Sequence, residues 1–405
     1  MVNQHQLVIF GAGKIGRSFI GQLFGCSGYE LVFIDIDPVI INQLNKEGRY
    51  RVVIKGETDQ EIVVSNVSAI SAHDTNAVIE TVSKAGILAV SVGKNALEKI
   101  VPVIAAALEQ RYSTHRDYPL DILLAENMRS AAGFVRNILA EHLPATFPIN
   151  DMVGLVETSI GKMVPIIPIA ELEKDPLVVF AEAYNSLILD GKAFKNPIPP
   201  VKGLAPKSNI KAWVDRKAFI HNLGHATAAY YGFARHPQAV YMYEVLNDPD
   251  VLNFTRSVML QSASILVAAY PADFTSDDLE VHIDDLLHRF SNIALKDTLF
   301  RVGTDLPRKL GSDDRFMGAI HLAMEYNQPF YLIVEAMSYG FTFNATSENG
   351  KSNHTDTSFR ESFATGIHQV FTRLLGYNQQ ADKQVVNWFI AKMLNKQQKG
   401  EEMCK

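Results

Sequence analysis

The sequence predicts an α/β fold, a doubly wound parallel sheet in the N-terminal half followed by a mostly α-helical C-terminal domain. Three observations carry this. Short β-rich runs alternate with helical patterns over the first half, a glycine-rich turn joins the first run to the first helix, and the pattern becomes almost purely helical past a proline-rich stretch. At 405 residues the chain exceeds the size at which one core stops growing. Two domains are therefore expected, at 1–195 and 196–405.

Residues 7–10, 31–35, 87–92, 122–124 and 152–156 are aliphatic and β-branched and read as strands. Between them 15–24, 38–47 and 96–110 carry apolar residues at helical spacing and read as crossover helices. Composition changes over 191–211, where Pro197, Pro199, Pro200 and Pro206 stand among lysines and small residues, as in a connector. Beyond it 212–234, 239–246, 251–270, 277–292, 316–326, 358–375 and 383–394 read as helices. Residues 346–357 read as a polar loop and 396–405 as a charged tail.

Hydrophobic residues make up 47% and charged ones 20%, an ordinary globular composition. A net charge of −6 offers no basic surplus for a polyanion, so no nucleic-acid partner is expected. Cys26 and Cys404 are too few for a disulfide framework or a cysteine zinc cluster, which fits a reducing cytoplasm. Met1 to Gln6 lack a basic, signal-like start, and no uninterrupted apolar run is long enough to span a bilayer. No membrane partner is expected.

The glycine-rich turn is Phe10-Gly11-Ala12-Gly13-Lys14-Ile15-Gly16-Arg17. This spacing allows a tight turn at Gly11, close approach of a pyrophosphate at Gly13 and close helix-to-strand packing at Gly16, while the helix that follows aims its free N–H groups at the phosphates. Asp35 ends the second strand about 20 residues on, as a Rossmann-type dinucleotide site requires. Its carboxylate can accept from ribose hydroxyls and would repel a 2′-phosphate, so NAD is the expected cofactor. Gly93 and the pair Glu126-Asn127 follow later strands and should border the same crevice. For Gly93 a plain helix-start turn is the other reading.

A dehydrogenase needs a base for the hydroxyl proton. No Tyr is followed four residues later by Lys, and no cysteine and histidine set suits catalytic zinc. The strongest candidate region is Asp215-Arg216-Lys217-Ala218-Phe219-Ile220-His221-Asn222-Leu223-Gly224-His225. On an α-helix Lys217, His221 and His225 fall within about 80° of arc and Asn222 within about 140°. Gly224 falls near the azimuth of Lys217 and would leave open space beside the ammonium. A partly buried Lys217 beside Arg216 would have the lowered pKa of a general base. An exposed basic helix face fits the same pattern, although Phe219, Ile220, Leu223, Ala226, Ala228 and Ala229 leave little of this helix polar.

At these residues the sequence resembles the polyol-specific long-chain dehydrogenase family, over essentially the whole chain. The carriers are Gly11 to Arg17, Glu126-Asn127-Met128, Arg216-Lys217 with Ile220 to Ala226, and Arg301-Val302-Gly303-Thr304-Asp305 continuing into Arg308-Lys309-Leu310. The resemblance implies a Rossmann domain followed by a helical domain, and metal-independent chemistry. It makes Lys217 the general base, Asn127 and Asn222 hydrogen-bond donors to the developing alkoxide, and His225 a substrate-orienting group.

Residues 301–315 supply four cations and three aspartates among glycines and a proline. Arg and Lys are natural phosphate partners, but a mixed-charge solvated loop fits too. Resemblance favours a substrate or phosphate contact from Arg301, Arg308 and Lys309. The expected small-molecule pair is a polyol phosphate and a ketose phosphate, D-mannitol 1-phosphate and D-fructose 6-phosphate, handled by a monomer or weak oligomer. The alternatives are a free polyol or hexonate as substrate, or an NAD-binding regulator without turnover. One departure stands out: family members usually carry Asp-Arg where this chain has Gly161-Lys162, which bears on fine substrate recognition.

Overall fold

Leu7, Val8, Ile9 and Phe10 are all buried, as befits a strand covered on both faces. They belong to β1 (Asn3–Phe10), which lies inside an eight-stranded sheet. The fold is described from a computed structural model for residues 1–126, 128–365, 370, 375–378, 380 and 382–389. Two compact units emerge, Met1–Val214 and Asp215–Lys405.

In the first unit the further strands are β2 (Glu30–Asp35), β3 (Arg49–Ile54), β4 (Gln60–Ser65), β5 (Val67–Ser71), β6 (Ala85–Val90), β7 (Leu120–Leu124), β8 (Val153–Ser159), β9 (Val179–Ala181), β10 (Leu187–Asp190) and β11 (Leu204–Lys207). The order β5-β2-β1-β6-β7-β8 is parallel throughout, the doubly wound arrangement of a dinucleotide-binding sheet. Successive side chains alternate between two cores. Leu7, Ile9, Leu31 and Phe33 enter one, and Val8, Phe10, Val32 and Ile34 the other.

The predicted α/β class and the five predicted strands are present. The helix Pro38–Glu47 has its predicted bounds because Asp37 Oδ1 accepts from Val39 N at 2.8 Å, Pro38 opens the first turn and Gly48 closes the helix at φ +60°. The β3–β4 hairpin and β5 were not anticipated, since their charged or half-exposed residues blur the apolar pattern. The proline-rich stretch is not a simple connector. Leu204, Ala205, Pro206 and Lys207 form β11, parallel to β10 at the sheet's edge, where proline is tolerated. Residues 196–214 accordingly cluster with the first unit.

The second unit is helical among its described residues. The helix Ile210–Arg216 runs into a π-helical turn, Lys217–Asn222, and on into the α-helix Leu223–Arg235. That last helix packs against Met242–Leu246, Pro249–Ala269 and Tyr331–Gly340. A Cβ at Gly224 would lie 2.4 Å from Met259 Sδ, so Gly224 is filled by core packing and leaves no open space beside Lys217. The expected 301–315 loop instead contains the short helices Leu299–Gly303 and Leu306–Lys309. By length and hydropathy alone Pro249–Ala269 could cross a membrane, and half of that stretch is buried within the fold, as in a core helix. Asn127, Cys404, the tail 396–405 and much of the expected helices 358–375 and 383–394 lie outside the described residues.

Gly11 has φ +95°, a left-handed conformation that disfavours any side chain. A Cβ on Gly16 would stand 2.0 Å from the Gly11 carbonyl oxygen, whereas one on Gly13 would meet nothing within 4 Å. Gly16→Ala should therefore cost about 2 kcal/mol or more, and Gly13→Ala within about 0.5 kcal/mol of nothing. Chemical unfolding followed by circular dichroism checks the contrast, and equal losses would contradict it.

Candidate active site

The first unit carries the glycine turn expected to bind a dinucleotide. Arg17 is buried and donates from Nε to Ala12 O at 2.6 Å and from Nη1 to Leu177 O at 2.5 Å, bracing the turn from beneath. Asp35 Oδ2 accepts from Ala12 N at 2.6 Å, while Oδ1 accepts from Ile36 N at 2.8 Å and Asp37 N at 3.0 Å. Three amides thus orient the carboxylate, and of its roughly four acceptor positions one on Oδ2 is left for a ligand hydroxyl. Gly13 and Lys14 are exposed above the turn and Ile15 is half-buried, whereas the Phe10 side chain belongs to the core. A pyrophosphate would find backbone at Gly13 with no side chain in its way.

Glu126 is buried and accepts from Val92 N at 2.7 Å and Gly93 N at 3.0 Å. Burial pushes its carboxyl pKa up, against the pull of those two amides. Gly93, at φ +85°, starts the helix Lys94–Thr114. Its amide therefore serves a structural bond while the space beyond its Cα stays open. Lys162 is buried and donates to Gln22 Oε1 at 2.9 Å and Asn185 Oδ1 at 2.8 Å. Burial pulls its pKa down to about 8.

In the second unit the turn carrying Lys217 is wider than the α-helix expected. Leu223 N–H reaches back to Ala218 O, five residues away, and also to Ile220 O. Its usual acceptor, Phe219 O, is thereby released, and the buried Ser262 hydroxyl on the helix Pro249–Ala269 donates to it at 2.7 Å. Five-residue periodicity also turns Asn222 toward the side of Lys217, closer than an α-helix would place it.

Lys217 is half-buried, and its pKa is pulled down to about 8 by burial first and then by Arg315 and Arg308, against Asp314. His225 lies flat on Phe290, with ring centroids 4.3 Å apart and planes 8° from parallel. His221 stands edge-on to the same phenyl ring at 5.4 Å. Burial lowers the pKa of both histidines, that of His221 well below its usual value, while Asp297 opposes the shift of His225. His225 Nε2 is 3.2 Å from Asp297 Oδ2 but not aligned for a hydrogen bond, and it stays buried without a directed partner. Asp297 is gripped by Arg301 through Nε at 2.5 Å and through Nη2. Burial alone would raise the Asp297 pKa, but His225 and Arg301 together bring it down to about 2.

The three cations expected to meet a phosphate differ in their settings. Lys309 is 6% exposed and donates to Val302 O at 2.5 Å, an inward, structural position. Burial draws its pKa down to about 7. Arg301 is committed to Asp297. Arg308, with a side chain 49% exposed, pairs with Asp305 and, from Nη1, with Asp314 Oδ2 at 3.2 Å. Arg315 was not singled out from the sequence, yet it is buried, donates from Nε to Asp314 Oδ1 at 2.8 Å and from Nη1 to Asn222 O at 3.2 Å. Asp297 and Phe290 were missed too, although Asp297 stands four residues before Arg301, a spacing that pairs charges on a helix. Among the described residues no three His, Cys, Asp or Glu side chains group as metal ligands would.

Residues 5–203 match the mannitol dehydrogenase Rossmann domain and residues 209–395 the mannitol dehydrogenase C-terminal domain. Among solved structures the fold is similar to that of Pseudomonas fluorescens mannitol 2-dehydrogenase in ternary complex with NAD and D-mannitol. The two share 16% identity over 95% of this chain and 90% of that one, with a TM-score of 0.73. It is also similar to D-sorbitol dehydrogenase in substrate-free form, at 15% identity over 95% and 91% of the two chains and a TM-score of 0.76. The two domain matches follow one another along nearly the whole sequence, and the chain belongs to the mannitol dehydrogenase family of oxidoreductases.

Proposed function

We propose that this protein is an NAD-dependent, metal-independent dehydrogenase that interconverts D-mannitol 1-phosphate and D-fructose 6-phosphate, with Lys217 as general base. One observation carries the catalytic part: a widened helical turn presents an amine with a pKa of about 8 together with Asn222. Family membership supports oxidation of a polyol hydroxyl, and the bound NAD of the Pseudomonas fluorescens relative supports the cofactor. The residues here fit that cofactor: Gly13 is open to a pyrophosphate, and Asp35 keeps an acceptor for ribose while opposing a 2′-phosphate.

Bound at the glycine turn and Asp35, NAD would supply the hydride acceptor for the carbon that carries the reacting hydroxyl. Lys217 Nζ, neutral, takes the hydroxyl proton in oxidation and returns it in reduction. Asn222, and Asn127 by family resemblance, donate amide N–H groups to the oxygen as negative charge develops there. His225, held flat on Phe290 beside Asp297, offers a buried ring nitrogen to orient a second hydroxyl.

For the phosphate, Arg308 is the best-placed cation because half of its side chain faces solvent. A phosphate there would take the guanidinium over from Asp305 and Asp314. A free polyol is the second reading, favoured by the fact that Arg301, Arg308 and Lys309 each already have a protein partner.

Lys217→Ala should lower kcat by about 10²–10⁴-fold while NADH binding, followed by fluorescence, stays intact. Unchanged turnover would refute the role of Lys217, whereas a parent protein that binds NADH and turns over none of these substrates would favour the regulator reading. In the parent enzyme kcat/KM for polyol oxidation should fall as pH drops through about 8, because the base becomes protonated. Ketose reduction should fall as pH rises through the same value. Arg308→Ala should raise KM for mannitol 1-phosphate at least about tenfold, the loss of one charge-assisted contact, and that for free mannitol far less. Equal changes for both substrates would favour the free polyol.

A further inference from the structure

Arg315 touches two parts of the lysine site at once. Its side chain is 7% exposed, anchored through Nε to Asp314 Oδ1 at 2.8 Å, and the Arg315 amide closes on the same oxygen at 2.7 Å. Its other arm reaches the main chain of the π-helical turn, where Nη1 donates to the Asn222 carbonyl at 3.2 Å. A buried guanidinium tethered at both ends cannot swing away to join a substrate without giving up its contacts to both Asp314 and the turn. We propose that Arg315 is a positioning residue: it fixes the end of the turn that carries Lys217 and Asn222, and with Asp314 it sets the charge field in which Lys217 exchanges its proton. This rests on the reading of Lys217 as the base.

Among the described residues, charged and titratable groups act on Lys217 from two sides. Arg315, Asp314 and Arg308 belong to the segment after Asp305, and His221 to Lys217's own turn. His221 is buried and neutral, so the ionised neighbours decide the field. Arg315 and Arg308 favour the neutral amine and Asp314 the ammonium. Opposite substitutions should therefore move the proton equilibrium of Lys217 in opposite directions, an outcome that a purely structural part for Arg315 would not produce.

The test uses the full chain labelled with ε-¹³C lysine, with the Lys217 signal assigned by its loss in Lys217→Ala and titrated by NMR without cofactor. In Arg315→Gln it should titrate about one pH unit higher, and in Asp314→Asn about one unit lower. The low-pH limb of polyol oxidation should move the same way in each. Arg315→Lys keeps the charge but not both arms, so its titration should stay near that of the parent while kcat falls several-fold. An Arg315→Gln titration that is unmoved or lower overturns the proposal. If that variant does not fold, Asp314→Asn decides alone, and an unmoved or raised titration overturns it. Turnover retained in Lys217→Ala would instead sink the base assignment, a distinct failure that leaves the titration result to stand or fall separately.

Discussion

The hydrogen bond from Ser262 to the Phe219 carbonyl holds open the turn on which the proposed chemistry depends. Widening a helix by one residue deprives a backbone carbonyl of its N–H, and a buried carbonyl left without a donor costs about 1–3 kcal/mol. Phe219 O does not accept from Leu223 N, and Ser262, itself fully buried on the neighbouring helix, donates to it. Small residues make the approach possible, since Gly224 lets Met259 press against the helix just beyond the turn. With the wide turn secured, Lys217 and Asn222 share a side of the helix that regular α geometry would divide between them.

Electrostatics then selects the state of the amine. Burial removes solvent from Lys217, and two arginines disfavour adding a proton to it. Aspartates pair with the arginines and offset their mutual repulsion: Asp297 with Arg301, Asp305 and Asp314 with Arg308, and Asp314 with Arg315. Each cation is thus held in a fixed place. Fixed charges need little rearrangement when a proton moves nearby, which is the preorganisation that lowers a barrier. The same pairing explains why a count of cations in a stretch of sequence is a poor measure of phosphate affinity.

Strands buried on both faces were legible in the sequence because continuous aliphatic runs have few other uses, and β1, β2, β6, β7 and β8 follow such runs. The glycine turn was legible because each glycine answers a local requirement: a left-handed φ at Gly11, open space at Gly13 and a carbonyl contact at Gly16. The π-helical turn was not, because nothing local in Lys217-Ala218-Phe219-Ile220-His221-Asn222 departs from an α pattern, and its cause sits on another helix at Ser262. Gly224 misled for the same reason, since the sequence does not reveal that Met259 fills the space. Family resemblance favoured Lys309 as a substrate or phosphate contact, and the hydrogen bond of its ammonium to Val302 O could not be read from the sequence. Pro206 was read as a linker residue because prolines are rare in sheets, yet an edge strand accommodates it.

The central claim is that Lys217 Nζ exchanges a proton directly with the reacting hydroxyl. A crystal structure of the full chain with NAD and D-mannitol 1-phosphate measures this most directly. The account predicts the carbon-5 oxygen at hydrogen-bond distance, about 3 Å, from Lys217 Nζ, with the Asn222 side-chain amide on the same oxygen and the phosphate beside Arg308. A carbon-5 oxygen that meets a different titratable group, out of hydrogen-bond reach of Lys217 Nζ, would contradict it.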